Sequence, residues 1–152
     1  MRRMPLATVM IFLALGGLAA AADVTVTQVA ASGSGGSASI DSRLGDVKAS
    51  LAKKFTFSKY EFLSRKSAKL EEGASSTWKL SDGNSLSVSY AGASDSGGSQ
   101  TLTLTMEIFG ESEGRRKTLM KTTIRRSKGQ PLLLGVGKMT SGATLILVIK
   151  AS

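Results

Sequence analysis

Glu71-Glu72 and the trio Glu107, Glu111 and Glu113 are the carboxylates whose spacing could support acid–base chemistry in this 152-residue sequence. Glycoside hydrolysis needs two such groups facing each other across a cleft, roughly 5 to 9.5 Å apart. Both sets here flank turns, and neighbours on a strand point to opposite faces. Glutamates at turns are mostly solvated. Composition closes the other catalytic routes. Histidine and cysteine are both absent, so Ser-His-Asp and Cys-His nucleophiles cannot be built. Zinc, copper and haem lose their usual ligands. Gly135-Val136-Gly137 is too short for a dinucleotide fingerprint, and Ser81-Asp82-Gly83-Asn84 is too short for a calcium loop. The expectation is a protein that is not an enzyme and carries no cofactor or metal. A hydrolase resting on Glu71, Glu72, Glu107, Glu111 and Glu113 is the third-ranked reading.

Positive charge is what the composition offers instead. Lysine and arginine total 20 against 11 acidic residues, a formal net charge of +9. They gather in two places. Lys53, Lys54, Lys59, Arg65, Lys66 and Lys69 surround a helix end and the strand after it. Arg115, Arg116, Lys117, Lys121, Arg125, Arg126 and Lys128 occupy one hairpin arm and its turns. Strand alternation separates Arg125 from Arg126, so the second group cannot share one face. Arginine forks suit phosphate and carboxylate. These residues are therefore candidate contacts for a polyanion such as lipopolysaccharide, an anionic glycan or an acidic protein. A plainly solvated surface competes for the same residues. Nucleic acid is not an expected partner. Single-strand readers add exposed aromatics for stacking, whereas Phe55, Phe57, Tyr60, Phe62, Trp78 and Tyr90 sit on apolar stripes.

The elements that would position these groups begin after a leader. Met1-Arg2-Arg3 is cationic, Leu6 to Leu18 is apolar, and Ala19-Ala20-Ala21-Ala22 precedes Asp23. That is the order of a secretory signal peptide over residues 1–22, cut near Ala20–Asp23. The apolar run falls short of the roughly 20 residues that cross a bilayer as a helix. No second run is long enough, so the mature chain is expected to lack a transmembrane span. A periplasmic or secreted location follows. Without cysteine, neither a lipid anchor nor a disulfide is available, and roughly 130 residues suffice for one packed core.

Residues 23–39 form an N-terminal strand, with Val24 and Val26 alternating with threonine, and a Gly/Ser connector. The connector is either a loop within the domain or a tether. Residues 40–152 form a single β-rich domain. Ile40, Leu44, Val47, Leu51 and Phe55 share one helical stripe, with Asp41 as N-cap. Tyr60 and Phe62, then Ala68 and Leu70, alternate in two phases that a bulge near Leu63 to Lys66 reconciles. Ser81-Asp82-Gly83-Asn84 joins the strand of Trp78 to that of Leu86, Val88 and Tyr90 as a hairpin. Ala91 to Ser99 and Gly135 to Gly142 read as loops. Leu102 to Ile108 and Lys117 to Arg126 read as strands. Leu145-Ile146-Leu147-Val148-Ile149 has no polar alternation, so both its faces should be covered. The fold class is mainly β (α+β): an antiparallel sheet or small sandwich of about seven strands with one amphipathic helix packed on it. A compact barrel plugged by the helix is the alternative.

Three segments carry a resemblance: Leu51 to Leu63 (L-A-K-K-F-T-F-S-K-Y-E-F-L), Thr122 to Gly135 (T-T-I-R-R-S-K-G-Q-P-L-L-L-G) and Gly142 to Ile149 (G-A-T-L-I-L-V-I). In these the chain resembles small exported proteins of myxobacteria, planctomycetes and related envelope-rich bacteria. The stretch ending Leu133-Leu134-Gly135 is also similar to strands of secretin-type outer-membrane proteins. The resemblance implies association with an envelope assembly and carries over no active-site residue. The leading expectation is a non-catalytic envelope domain acting by protein–protein interaction with an unidentified envelope partner. The alternative is a binding module for anionic glycan or lipopolysaccharide.

Overall fold

Alternating apolar and hydroxyl side chains dominate the sequence after Ala21, and they fold as strands. The computed structural model describes residues 21–35 and 37–152. Among these, nine strands form: β1 (Ala22–Ser32), β2 (Ser39–Ile40), β3 (Lys59–Leu70), β4 (Ser75–Lys79), β5 (Ser85–Ser96), β6 (Ser99–Ser112), β7 (Arg115–Ser127), β8 (Leu132–Lys138) and β9 (Thr144–Ala151). A 3-10 turn (Ser42–Leu44) and one helix, α1 (Lys48–Lys54), lie between β2 and β3. The strands make a five-stranded sheet, β2-β3-β1-β9-β8, and a four-stranded sheet, β4-β5-β6-β7. Among the described residues only the β2–β3 pairing is parallel. The leader expected over residues 1–22 lies outside the described residues except for Ala21 and Ala22, and Ala22 opens β1.

The two sheets face each other, and the helical segment covers the far side of the five-stranded one. Val24, Val26, Leu145, Leu147 and Ile149 meet Trp78, Leu86, Val88, Leu104 and Met106 between the sheets. Val29, Ala31, Ile146 and Val148 meet Leu44, Val47 and Leu51 beneath the helical segment. The unbroken apolar run of β9 is thus explained. It lies between β1 and β8 in the middle layer, so odd and even residues both enter a core.

The middle of the expected stripe, Leu44, Val47 and Leu51, is buried, but not by one helix; Ile40 lies in β2 and Phe55 just past α1, both only partly buried. Ser42–Leu44 closes as a 3-10 turn, and α1 spans only seven residues. Gly45 and Asp46, both poor helix formers, stand at the break. Asp41 caps the 3-10 turn, accepting from the Arg43 backbone N–H at 3.0 Å, while Val47 precedes α1 without a side-chain cap. The Asp41 carboxyl is held well below the usual carboxylate range, chiefly by hydrogen bonds from the Arg43 side chain and backbone, with Phe62 N–H adding to them. A carboxyl depressed on folding contributes stability above its unfolded pKa of about 4, which is lost as pH falls through the folded value. Asp41→Asn is expected to flatten the acid-side fall of urea midpoints below about pH 4. An unchanged slope would remove that role.

The bulge expected in β3 is present. Ser64 pairs with Gln28 but Phe62 pairs with Val29, leaving Leu63 as the extra residue. It turns Tyr60 and Phe62 to the helical side and leaves Ala68 and Leu70 facing the other sheet. The Trp78–Tyr90 hairpin is also present, closed by Leu80 N–H donating to Asn84 O at 2.8 Å.

Two segments expected to be loops are strand. Ala91–Ser96 continues β5 and pairs with β6 up to Ser99, after a register shift at Gly92. The turn is only Gly97-Gly98, with φ of 59° and 85°, as a two-residue hairpin of this hand requires. These residues read as loop because they overhang the sandwich; Ala93 to Asp95 are exposed and bury no apolar face. Likewise, Gly135–Lys138 completes β8 against β9 with a shift between Gly135 and Gly137.

Gln28 ties the sheets together at one end. It is 5% exposed, donates to Lys79 O at 3.1 Å, and accepts from Ser81 N–H and Oγ at 2.7 and 2.8 Å. Among the described residues no buried side-chain nitrogen or oxygen lacks a partner, and no helix is long and apolar enough to cross a membrane.

Candidate functional site

The outer face of the four-stranded sheet is built by simple alternation. Leu86, Val88, Leu104 and Met106 turn inward, which sends the serines and threonines between them outward. Register sets these in rows: Ser75–Ser89–Thr105–Thr123, and Thr77–Ser87–Glu107–Lys121. The next row ends in Thr103–Arg125. Neighbouring strands lie about 4.8 Å apart and same-face rows about 6.8 Å apart, which spreads hydroxyls over a plane. The Thr105 and Thr123 hydroxyls bond at 3.2 Å. Among the described residues no element covers this plane.

Cations edge it along β7, the last strand of the sheet. Lys121 and Arg125 share the outer face with Glu107 and Thr103, while Arg126 pairs with buried Leu102 on the opposite face. Lys117 pairs with Gly110 and Arg115 with Ser112 near the hairpin tip. The split between Arg125 and Arg126 expected from alternation is therefore observed. Arg116 lies over the Phe109 ring, 3.6 Å from its centroid, and bonds to Glu107. Thr118 Oγ1 donates to the other Glu107 oxygen at 3.2 Å. Beside Arg125 and Thr103, an open hollow of about 440 Å³ is also lined by Glu72 and Gly92. Gly92 has φ of 122°, and a Cβ there would sit 3.1 Å from the Glu72 carboxyl carbon, so a side chain would be strained and crowded.

The glutamates singled out for acid–base chemistry are dispersed. Both oxygens of Glu107 are engaged by Arg116 and Thr118. Glu111 and Glu113 are exposed near the β6–β7 tip, and Glu71 and Glu72 are exposed at the turn after β3. Among the described residues no group of three or more carboxylates could hold a metal ion.

The first basic group is not brought together either. Lys53 is exposed on α1. Lys54 Nζ donates to Leu133 O on β8 at 2.6 Å. Lys59 pairs with Glu61 at 2.6 Å, which raises the lysine pKa. Lys66 pairs with Val26 and Lys69 with Asp23, on opposite faces of the sheet. Arg65 turns to the helical side, donating to Thr27 Oγ1 at 3.2 Å and Arg43 O at 3.0 Å, with Phe62 beneath it.

Arg65 borders a site the sequence reasoning missed. The helical segment covers only part of the five-stranded sheet. Beyond it, Thr25, Thr27, Arg65, Lys150 and Asp46, with Val47 and Val148, line a groove of about 220 Å³ that is polar and apolar in similar measure. The Thr25 and Ser67 hydroxyls bond at 2.9 Å on the same strand pair. The available signal was the Thr25-Val26-Thr27 alternation, which gives β1 one hydroxyl face. Arg65→Gln removes the guanidinium bonds to Thr27, Arg43 and Asp46, so a loss of about 1 kcal/mol is expected in urea unfolding. An unchanged midpoint would show that the guanidinium does not pin the segment.

Scans against protein-family models, curated proteins and solved structures found no match to this chain.

Proposed function

We propose that this chain is a non-catalytic exported domain that acts in the cell envelope by contact with another protein, through β7 and the adjoining outer face. The observation that carries the proposal is the uncovered hydroxyl plane edged by Lys121 and Arg125 on a terminal strand. A contact surface needs solvent-facing groups held by a rigid scaffold. The fully buried Leu86, Leu104 and Met106 supply that rigidity directly behind the plane. The charged leader and its small-residue end support export.

A photo-crosslinker placed at Thr123 of the exported protein tests this in the producing cell. The expected result is one envelope protein cross-linked in the wild type and lost with Lys121→Glu/Arg125→Glu. No cross-linked protein at all, or intact uncut chain confined to the cytosol, would overturn the proposal.

The groove beside Arg65 supports a second reading, a module for anionic glycan or lipopolysaccharide. Its threonines and the flanking Arg65 and Lys150, set beside Val47, Val148 and the Asp46 carboxylate, could take a sugar bearing a carboxylate or phosphate through the two cations. Binding to a polyuronate should weaken steeply as salt rises from about 0.05 to 0.5 M. Salt-insensitive binding, or none, would remove this reading.

A further inference from the structure

We infer that the partner supplies an extended acidic segment that adds to β7 as the fifth strand of the four-stranded sheet; this rests on the protein-contact proposal and specifies its geometry. β7 runs for 13 residues and, among the described residues, pairs only with β6. Among the described residues, no backbone or side-chain group outside that pairing bonds to the main chain of Arg115–Arg126. A terminal strand of this length presents a row of free N–H and C=O groups that a second chain can pair with.

The side chains of β7 specify the occupant. A register shift between Ile108 and Phe109 leaves Leu119 unpaired and 51% exposed. Beyond it, Met120 to Ser127 holds one continuous register with β6. Within that stretch Lys121, Thr123 and Arg125 face the open plane, and Met120, Thr122 and Ile124 face the other sheet. Met120 and Ile124 are only partly buried, and Leu134, Val136 and Met139 are partly buried against the same core. An added strand keeps the pleat, so its residues beside Met120 and Ile124 face this apolar margin. Those beside Lys121 and Arg125 lie on the cationic face. The fitting segment alternates apolar and acidic residues.

A second copy of this chain fits poorly. Antiparallel pairing of two β7 strands centred on Thr123 sets Lys121 of one opposite Arg125 of the other, and like charges directly opposite are destabilising. Glu107, the acidic neighbour of Lys121 in register, is already engaged by Arg116 and Thr118. Among the described residues, neither Lys121 nor Arg125 makes an ion pair.

The test titrates the exported protein with a seven-residue peptide alternating valine and glutamate, while recording amide shifts and hydrogen exchange. Two controls are the valine–lysine peptide and the valine–glutamate peptide N-methylated along its pairing edge. The expected result is that the acidic peptide binds and slows exchange of amides in Met120–Arg126. Lys121→Glu/Arg125→Glu should weaken it at least tenfold, and neither control should bind. Equal binding of the N-methylated peptide, no protection of β7, or no binding of the acidic peptide overturns strand addition. Those outcomes leave the Thr123 cross-link intact if another part of the face makes the contact. Loss of that cross-link sinks the protein-contact proposal itself. A dimer in sedimentation that depends on β7 would replace the acidic segment with a second copy.

Discussion

Leu147→Ala is expected to lower unfolding stability by about 3–4 kcal/mol. Leu147 has no solvent exposure and sits on β9, between β1 and β8, facing the four-stranded sheet. Its neighbours on that face, Leu145 and Ile149, are equally enclosed. A cavity there has rigid strands on every side, so little collapse can offset it. For a domain of this size the loss corresponds to roughly 10 °C in Tm. Calorimetry measures it directly. Leu119→Ala is the control, because Leu119 is 51% exposed at the β7 bulge; its effect should stay within about 0.5 kcal/mol. Equal shifts for the two variants would mean that the sheets are not packed face to face through β9.

The second large effect belongs to a polar residue. Gln28→Leu should cost about 2–3 kcal/mol even though leucine is the more apolar side chain. Gln28 is buried on the sheet-facing side of β1 and makes three hydrogen bonds to Lys79 and Ser81. Leucine would leave the Ser81 N–H without its partner at the turn between β4 and β5. Gln28 is buried while Ser81 is exposed, so removing one side of these part-buried bonds costs more than their net worth only as far as the abandoned N–H is kept from water. Urea unfolding with unchanged m-value is the measurement. A variant as stable as the wild type would show that this corner of the sandwich opens to solvent.

Local pattern carried most of the architecture. The apolar run of β9 has no polar alternation, and burial on both faces is the only way to use it. The two phases of β3 could not share one regular strand, so a bulge was required, and Leu63 supplies it. The Ser81–Asn84 turn was legible because its residues tolerate the needed backbone. Overhanging strands were not legible. The end of β5 carries small residues with no large apolar side chain on either face, and such a segment reads the same in a loop or in a solvated hairpin. The split helical segment shows a similar limit. Periodicity located the buried stripe of Leu44, Val47 and Leu51, but it could not register the break at Gly45-Asp46.

What the candidate surfaces owe to each level also differs. The separation of Arg125 from Arg126 follows from a period of two and needs no tertiary information. The dispersal of Lys53, Lys54, Lys59, Arg65 and Lys66 does need it, since charges close in sequence were sent to different faces and partners. By itself the amino-acid order determined a β-rich chain without histidine or cysteine, because composition and alternation are local properties. Tertiary structure alone decided that β7 ends its sheet and that Thr25, Arg65 and Lys150 share a groove. Those neighbours come from distant parts of the chain, and which strands become adjacent depends on how the apolar faces of two sheets pack, a condition no single segment contains.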